Sequence, residues 1–358
     1  MRTALIISLN FNPGHVSHLR ASYRQFEELG YESWYYVNKD FRNFLPKGSR
    51  ALYYGEDKPS SADVAIIWFP SQKNLNVMWS LHRCFKTQIL YCFHEPVTSF
   101  QEYHDSGYTR KQVLIERIKD WIGAYTSNMA EVVILPSKKA YNNYLEGKLY
   151  KNPKAIYLPL MYDDERMEHY RQVERKFFSY IGTVASDHSF NEYVSFIKWA
   201  YLQRKLANLS FMIATRSTVI CDELMAEMVQ KGRLKLIQGK PMEDETINEC
   251  YASSFVVWNA YTRSMQSGVL AKSFMFGTPA IILKKNLSEF TEDGKDVQAI
   301  EDNTSFEQIE RAILIIMNNF PHYSNAARGQ FEEKFYFKCY NKQIHQLLNI
   351  QTEGPPLF

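Results

Sequence analysis

Phe255-Val256-Val257-Trp258, followed by Gln266-Ser267-Gly268-Val269-Leu270-Ala271-Lys272-Ser273-Phe274-Met275-Phe276-Gly277-Thr278-Pro279 and then Ala280-Ile281-Ile282-Leu283, is the stretch whose reading decides the fold. Two short apolar runs bounded by turn residues read as buried strands. Between them Val269–Phe276 reads as a helix, opened by Ser267 and stopped by Gly277. Strand, helix, strand in that order is a βα unit of a parallel sheet, whose neighbours need a crossover.

The same alternation extends both ways along the chain. Strand-like runs precede it at Phe177–Ile181, Leu209–Ala214 and Leu234–Gln238, with helices over Phe190–Leu206, Asp222–Lys231 and Asp244–Tyr251. Towards the start, strands are read at Ala4–Leu9, Ser33–Val37, Val64–Phe69, Gln88–Phe93, Val132–Leu135 and Ala155–Leu158, with helices at Leu19–Leu29, Lys111–Tyr125 and Ser137–Leu145. Phe306–Met317 and Ala326–Leu348 read as terminal helices.

Between the two series, Tyr162–Arg175 is densely charged without an apolar stripe and reads as a linker. The expectation is therefore α/β: two Rossmann-like, doubly wound parallel-sheet domains with a site in a cleft between them. Residues 1–160 form the first, 161–175 the linker, 176–320 the second, and 321–358 are helices crossing back to the first.

Composition fits this and narrows the function. The chain has 358 residues, above the ~150 per domain that suggests a single core. Its 42 basic and 39 acidic side chains leave +3, too balanced for a nucleic-acid footprint. Five cysteines without CxxC spacing argue against a disulfide framework or zinc site and read as reduced, mostly buried thiols. The apolar run after Thr3 breaks at Asn10, too short for a signal peptide or a membrane span, so a cytoplasmic protein is expected.

Ser267 and Gly268 open an apolar helix, so unpaired N–H groups and the positive end of the helix dipole point at an anion there. Gly268 allows close approach of that anion, and Arg216, Arg263 and Lys272 are cations within reach. GxGxxG and GxxxxGK[ST] are both absent, which excludes the usual dinucleotide and P-loop sites.

Several motifs in order resemble the large GT-B glycosyltransferase family that builds lipopolysaccharide, capsule and sucrose-type linkages, and the resemblance spans nearly the whole chain. Asn12-Pro13-Gly14-His15 stands where that family has a glycine turn approaching the donor phosphates. Val132–Ser137 with Leu158-Pro159 is similar to the passage ending its first lobe, and Phe178-Ser179-Tyr180-Ile181-Gly182 to the opening of its second. Gln266–Pro279 resembles the signature loop and helix that meet the donor, and Glu289 and Asp293-Gly294 echo the positions that close it.

The resemblance implies a nucleotide-sugar substrate whose diphosphate meets Gly14, His15, Arg216, Arg263, Gln266, Ser267, Gly268 and Lys272, and a glycan or lipid-linked acceptor. It implies retention and neither metal nor further cofactor. Thr183 and His188 stand where the family carries an Arg and a Lys that clamp the diphosphate, while Ser264 and Lys272 occupy its two glutamate positions. A Lys cannot accept hydrogen bonds from ribose hydroxyls, so Lys272 implies a shifted donor pose with the ammonium on a phosphate oxygen.

Tyr91-Cys92-Phe93-His94-Glu95-Pro96 puts a polar pair straight after a buried strand, where active-site groups collect. His94 and Glu95 are the candidate catalytic residues: contacts to sugar or acceptor under retention, a general base under inversion. His15 and His18 are three apart but lack an acidic third ligand, and Glu243-Asp244-Glu245 fits a helix N-terminus, so no metal is required. Residues 110–125 mix Arg110, Lys111, Arg117 and Lys119 with apolar side chains. They read as a sheet-covering helix or as a basic face laid on an anionic membrane. The rival from another class is a transferase-like sugar-nucleotide-binding or scaffold protein that has lost catalysis.

Overall fold

The computed structural model describes residues 1–59, 61–94, 96, 100–105, 107–263 and 266–349. The chain forms two compact units. The first comprises Met1–Phe100, Arg110–Asp163 and the chain from Phe335, and the second Gln101–Thr109 and Asp164–Lys334.

The first unit is built on seven strands: β1 (Arg2–Ser8), β2 (Tyr31–Asn38), β3 (Ala51–Tyr54), β4 (Val64–Trp68), β5 (Gln88–Cys92), β6 (Val132–Leu135) and β7 (Ala155–Tyr157). All pair in parallel, in the order β3-β2-β1-β4-β5-β6-β7. Its helices are α1 (Val16–Glu28), α2 (Asn74–Phe85), α4 (Arg110–Met129) and α5 (Lys138–Glu146), while α3 (Phe100–Asp105), which precedes α4 in the chain, belongs from Gln101 onward to the second unit. Strands such as β4 are buried on every residue, as a sheet covered on both faces demands.

In the second unit α6 (Glu168–Arg171) leads into β8 (Phe177–Ile181), α7 (Phe190–Leu202), β9 (Ser210–Ala214), α8 (Glu223–Gln230), β10 (Leu234–Ile237), α9 (Asp244–Ser253) and β11 (Ser254–Asn259). Next come α10 (Gly268–Met275), β12 (Ala280–Leu283), β13 (Val297–Ile300), α11 (Phe306–Asn318) and α12 (Phe320–Lys334). This sheet is also parallel, in the order β10-β9-β8-β11-β12-β13. Phe178, Tyr193, Phe196 and Trp258 pack its core with tilted and edge-on rings. The last helix, α13 (Asn341–Asn349), belongs to the first unit and buries Ile344 there.

Four readings are corrected. Ala326–Leu348 is not one helix: the Tyr162 N–H donates to the Phe335 carbonyl at 2.8 Å and the Phe337 N–H to the Tyr162 carbonyl at 3.0 Å, which removes both groups from a helical ladder. Edge strands β3 and β13 escape the sequence reading because they are short and only partly buried, so their apolar signal is weak. Helix α2 also escapes it. The cysteines are not mostly buried: Cys92 and Cys250 are, but Cys84, Cys221 and Cys339 are exposed, on helix and loop surfaces outside the cores.

The charged segment around residue 164 is held by partners rather than solvated. Asp163 pairs with Arg24 in the first unit, while Asp164 pairs with Arg328 and Glu165 with Lys272 in the second. Its charge marks buried and half-buried ion pairs.

Candidate functional site

In an open parallel sheet the ligand crevice lies beyond the strand carboxyl ends where the winding reverses. In the first unit that point falls between β1 and β4, and in the second between β8 and β11.

In the second unit β8 ends at Gly182, whose φ is +145°, a backbone that side chains rarely adopt. A Cβ there would stand 3.6 Å from Val269 Cγ2, in the first turn of α10, and 3.7 Å from the Tyr261 hydroxyl. Strand β11 ends at Asn259, whose side-chain amide donates to Ser267 Oγ at 2.7 Å. Ser267 caps α10 by accepting from the Leu270 N–H at 3.3 Å, leaving the rest of the helix's positive first turn at the crevice. Gly182, Tyr261, Ser267 and Gly268 thus meet at one switch point.

The crevice has a polar wall. Asp187, a buried carboxylate, accepts from the Tyr108 hydroxyl at 3.4 Å, its carbonyl accepts from the Thr262 N–H at 2.8 Å, and Arg263 Nη1 stands 4.0 Å from its carboxylate. The buried Arg263 guanidinium also lies 5.3 Å from the Tyr103 ring centroid. His188 is stacked on Tyr261, with ring centroids 4.3 Å apart and 10° between planes, and its Nδ1 lies 2.8 Å from the Thr183 carbonyl. Burial, and secondarily the charge of Asp187, push the Tyr261 phenol well above its ordinary pKa, so it stays protonated and able to donate.

Arg216 is exposed just past the end of β9, and the neighbouring Ser217 hydroxyl accepts from the Val184 N–H at 3.2 Å, so this loop adjoins the one that follows β8. Gln266 is buried. Lys272 is buried with its ammonium 2.7 Å from Glu165 Oε2, which also accepts from the Asn248 amide at 3.1 Å.

The first unit gathers rings at its switch point. Phe69, immediately after β4, has φ +66°, which for a bulky residue costs roughly 1–2 kcal/mol. His15 stacks on it with centroids 3.5 Å apart, and His94 tilts against it at 5.7 Å. His18 Nδ1 lies 3.0 Å from the Met161 carbonyl, consistent with an N–H donated to it, and its ring packs on Tyr162. His94 lines a cavity with Trp68, Phe69, Cys92, Pro136 and Leu160. Burial pushes the Cys92 thiol up, so it is an inert wall. Gly14 is exposed, spends its N–H on Asn12 Oδ1 at 3.1 Å, and lacks a backbone that requires glycine. Glu95 and Ser264 lie outside the described residues.

Six of the candidates named from the sequence fall in the second unit, Arg216, Arg263, Gln266, Ser267, Gly268 and Lys272, while Gly14, His15 and His94 fall in the first. Sequence reading missed Phe69, Asp187 and Tyr261. Phe69 and Tyr261 follow strand ends, which was the available signal. Their ring partners come from other loops, which no local pattern reveals.

The chain has the GT-B glycosyltransferase fold. HepE from Anabaena, in complex with UDP and glucose, matches with a TM-score of 0.70 at 11% identity, covering 98% of this chain and 100% of that one. Sucrose-phosphate synthase from Thermosynechococcus elongatus matches at 0.68 and 13%, covering 99% and 100%. WaaG, a glycosyltransferase involved in lipopolysaccharide biosynthesis, matches at 0.66 and 10%, covering 98% and 100%. No protein-family model matches the sequence, and no curated protein does. No described helix is long and apolar enough to cross a membrane.

Proposed function

We propose that this chain is a glycosyltransferase that moves a sugar from a nucleoside-diphosphate donor to an acceptor hydroxyl, with retention and without metal or further cofactor. The observation that carries the reading is the second unit's switch point, where the capped N-terminus of α10 meets Gly182 within a fold otherwise seen in nucleotide-sugar enzymes. The diphosphate lies against the first turn of α10, with Arg216 as the exposed cation beside it. Catalysis then consists of positioning and of stabilising the departing diphosphate: the bond from sugar C1 to phosphate oxygen breaks, the acceptor oxygen bonds to C1, and its proton passes to the leaving phosphate. His94 and the ring wall at Phe69 contact sugar or acceptor.

The acceptor we favour is lipid-linked, met on the cytoplasmic side of an anionic membrane. Leu114, Ile118, Trp121 and Tyr125, spaced as one stripe of α4, are each more than half exposed, and Arg110, Lys111 and Arg117 flank them. A helix that only covers its sheet has no reason to turn this stripe outward.

The test is calorimetric titration of UDP-, GDP- and CMP-sugars against the wild type and Arg216→Ala, followed by transfer and hydrolysis assays with the best binder. UDP-sugars come first because HepE was solved with UDP-glucose. Binding weakened several-fold by Arg216→Ala, with transfer, supports the reading. Binding without transfer to any acceptor favours the inactive sugar-nucleotide-binding protein, and no binding across the panel refutes both.

A further inference from the structure

The second unit's crevice lacks the two basic side chains that clamp a diphosphate in the family this chain resembles, since Thr183 and His188 stand in their places. Tyr261 lies beside those positions, stacked on His188 and next to Gly182. The Tyr261 side chain is 95% buried, given its 5% exposure, and its hydroxyl has no hydrogen-bond partner among the described residues. A buried hydroxyl left unpaired costs stability, and such groups are rare in folded proteins. It is aimed at the anion-attracting end of α10, because a Cβ on Gly182 would touch both the Tyr261 hydroxyl and Val269.

The ring is also fixed. His188 stacks on one face, its own orientation set by the Thr183 carbonyl, and the Asn286 amide donates to the Tyr261 carbonyl at 2.6 Å. The two residues that replace the clamp therefore hold the phenol in place instead of touching an anion as cations would.

We infer that Tyr261 is a donor-binding residue: its hydroxyl hydrogen-bonds the outer phosphate of the nucleoside diphosphate, with His188 as the positioning residue. The inference rests on the proposed nucleotide-sugar site and deepens it. A phenol supplies one neutral donor where an Arg and a Lys supply two charges, so discrimination of diphosphate from monophosphate depends on this hydrogen bond together with α10 and Arg216.

The experiment compares the full-length wild type with Tyr261→Phe, which keeps the ring and the stack. UDP and UMP are titrated by calorimetry, with GDP and GMP alongside, and thermal unfolding is followed without nucleotide. Expected is a loss of about tenfold or more in diphosphate affinity, monophosphate affinity within twofold of wild type, and a nucleotide-free Tm unchanged or raised by about 2–4 °C once the unpaired hydroxyl is gone. Higher stability with weaker diphosphate binding is a combination that a purely structural tyrosine would not give. Equal losses for both nucleotides, or unchanged diphosphate affinity in a variant whose parent binds it, overturns this assignment alone. A wild type that binds no nucleotide overturns it together with the function it rests on.

Discussion

The ammonium of Lys272 and the carboxylate of Glu165 stand 2.7 Å apart, with side chains only 7% and 3% exposed. Removing one member of such a pair strands the other charge away from water. Lys272→Met should therefore cost about 3–5 kcal/mol in urea unfolding, and Lys272→Met with Glu165→Leu should recover most of it. If Lys272 instead serves chiefly as a phosphate ligand, the single variant unfolds near the wild-type midpoint and loses only nucleotide affinity.

Gly277 ends α10 with φ +65°, and a Cβ there would lie 3.0 Å from Ser324 Oγ and 3.1 Å from the Ser324 carbonyl oxygen. Backbone strain and a clash with main chain add, so Gly277→Ala should cost roughly 2–5 kcal/mol. Gly294, at φ +77° with open space around its Cβ position, bears the conformational cost alone. Gly294→Ala should lose no more than about half as much in parallel denaturant titrations.

Asp296 is fully buried, and burial raises its pKa from 3.8 to about 6 although it accepts from the Glu292 N–H at 3.0 Å. The folded protein binds this proton more tightly than the unfolded chain. The stabilisation is therefore complete below about pH 4 and is lost as pH rises through about 6. Asp296→Asn, neutral throughout, should gain roughly 1–3 kcal/mol over the wild type at pH 7.5, shrinking to about a third of that at pH 4.5. Urea midpoints at the two pH values measure it, and a gain independent of pH would contradict the burial argument.

Trp121 is 62% exposed and Ile118 is 53% exposed on the outward stripe of α4. Replacing both with serine should leave folding stability within about 0.5 kcal/mol while lowering affinity for phosphatidylglycerol-containing vesicles about tenfold or more. Wild-type binding should also weaken as salt screens Arg110 and Lys111. Co-sedimentation that is indifferent to both changes removes the membrane from the proposal.

The alternation of apolar runs and amphipathic segments was enough to place eleven of the thirteen strands among the described residues, since buried parallel strands are nearly continuous Val, Ile and Phe. The helix cap at Ser267 was equally legible, because capping is a local rule. Asp187 beneath Arg263, His188 on Tyr261 and Glu165 against Lys272 were not, because each joins positions 73 to 107 residues apart. Nor does composition reveal the left-handed turn at Phe69, which depends on the rings packed around it.

The pairing of Tyr162 with Phe335 and Phe337 carries a consequence for biosynthesis. Gln25 in α1 donates to the Phe337 carbonyl, and Gln88 in β5 to the Leu347 carbonyl, so the unit translated earlier is completed by residues translated after the other unit. Residues 164–334 emerge in between and carry almost all of the second unit. At ~5–20 residues per second, roughly ten to forty seconds separate Asp163 from the segment that completes its unit. The earlier unit's core cluster from Leu5 to Tyr144 emerges before the later unit, but the cradle for α13 stays uncovered until the later unit has been made.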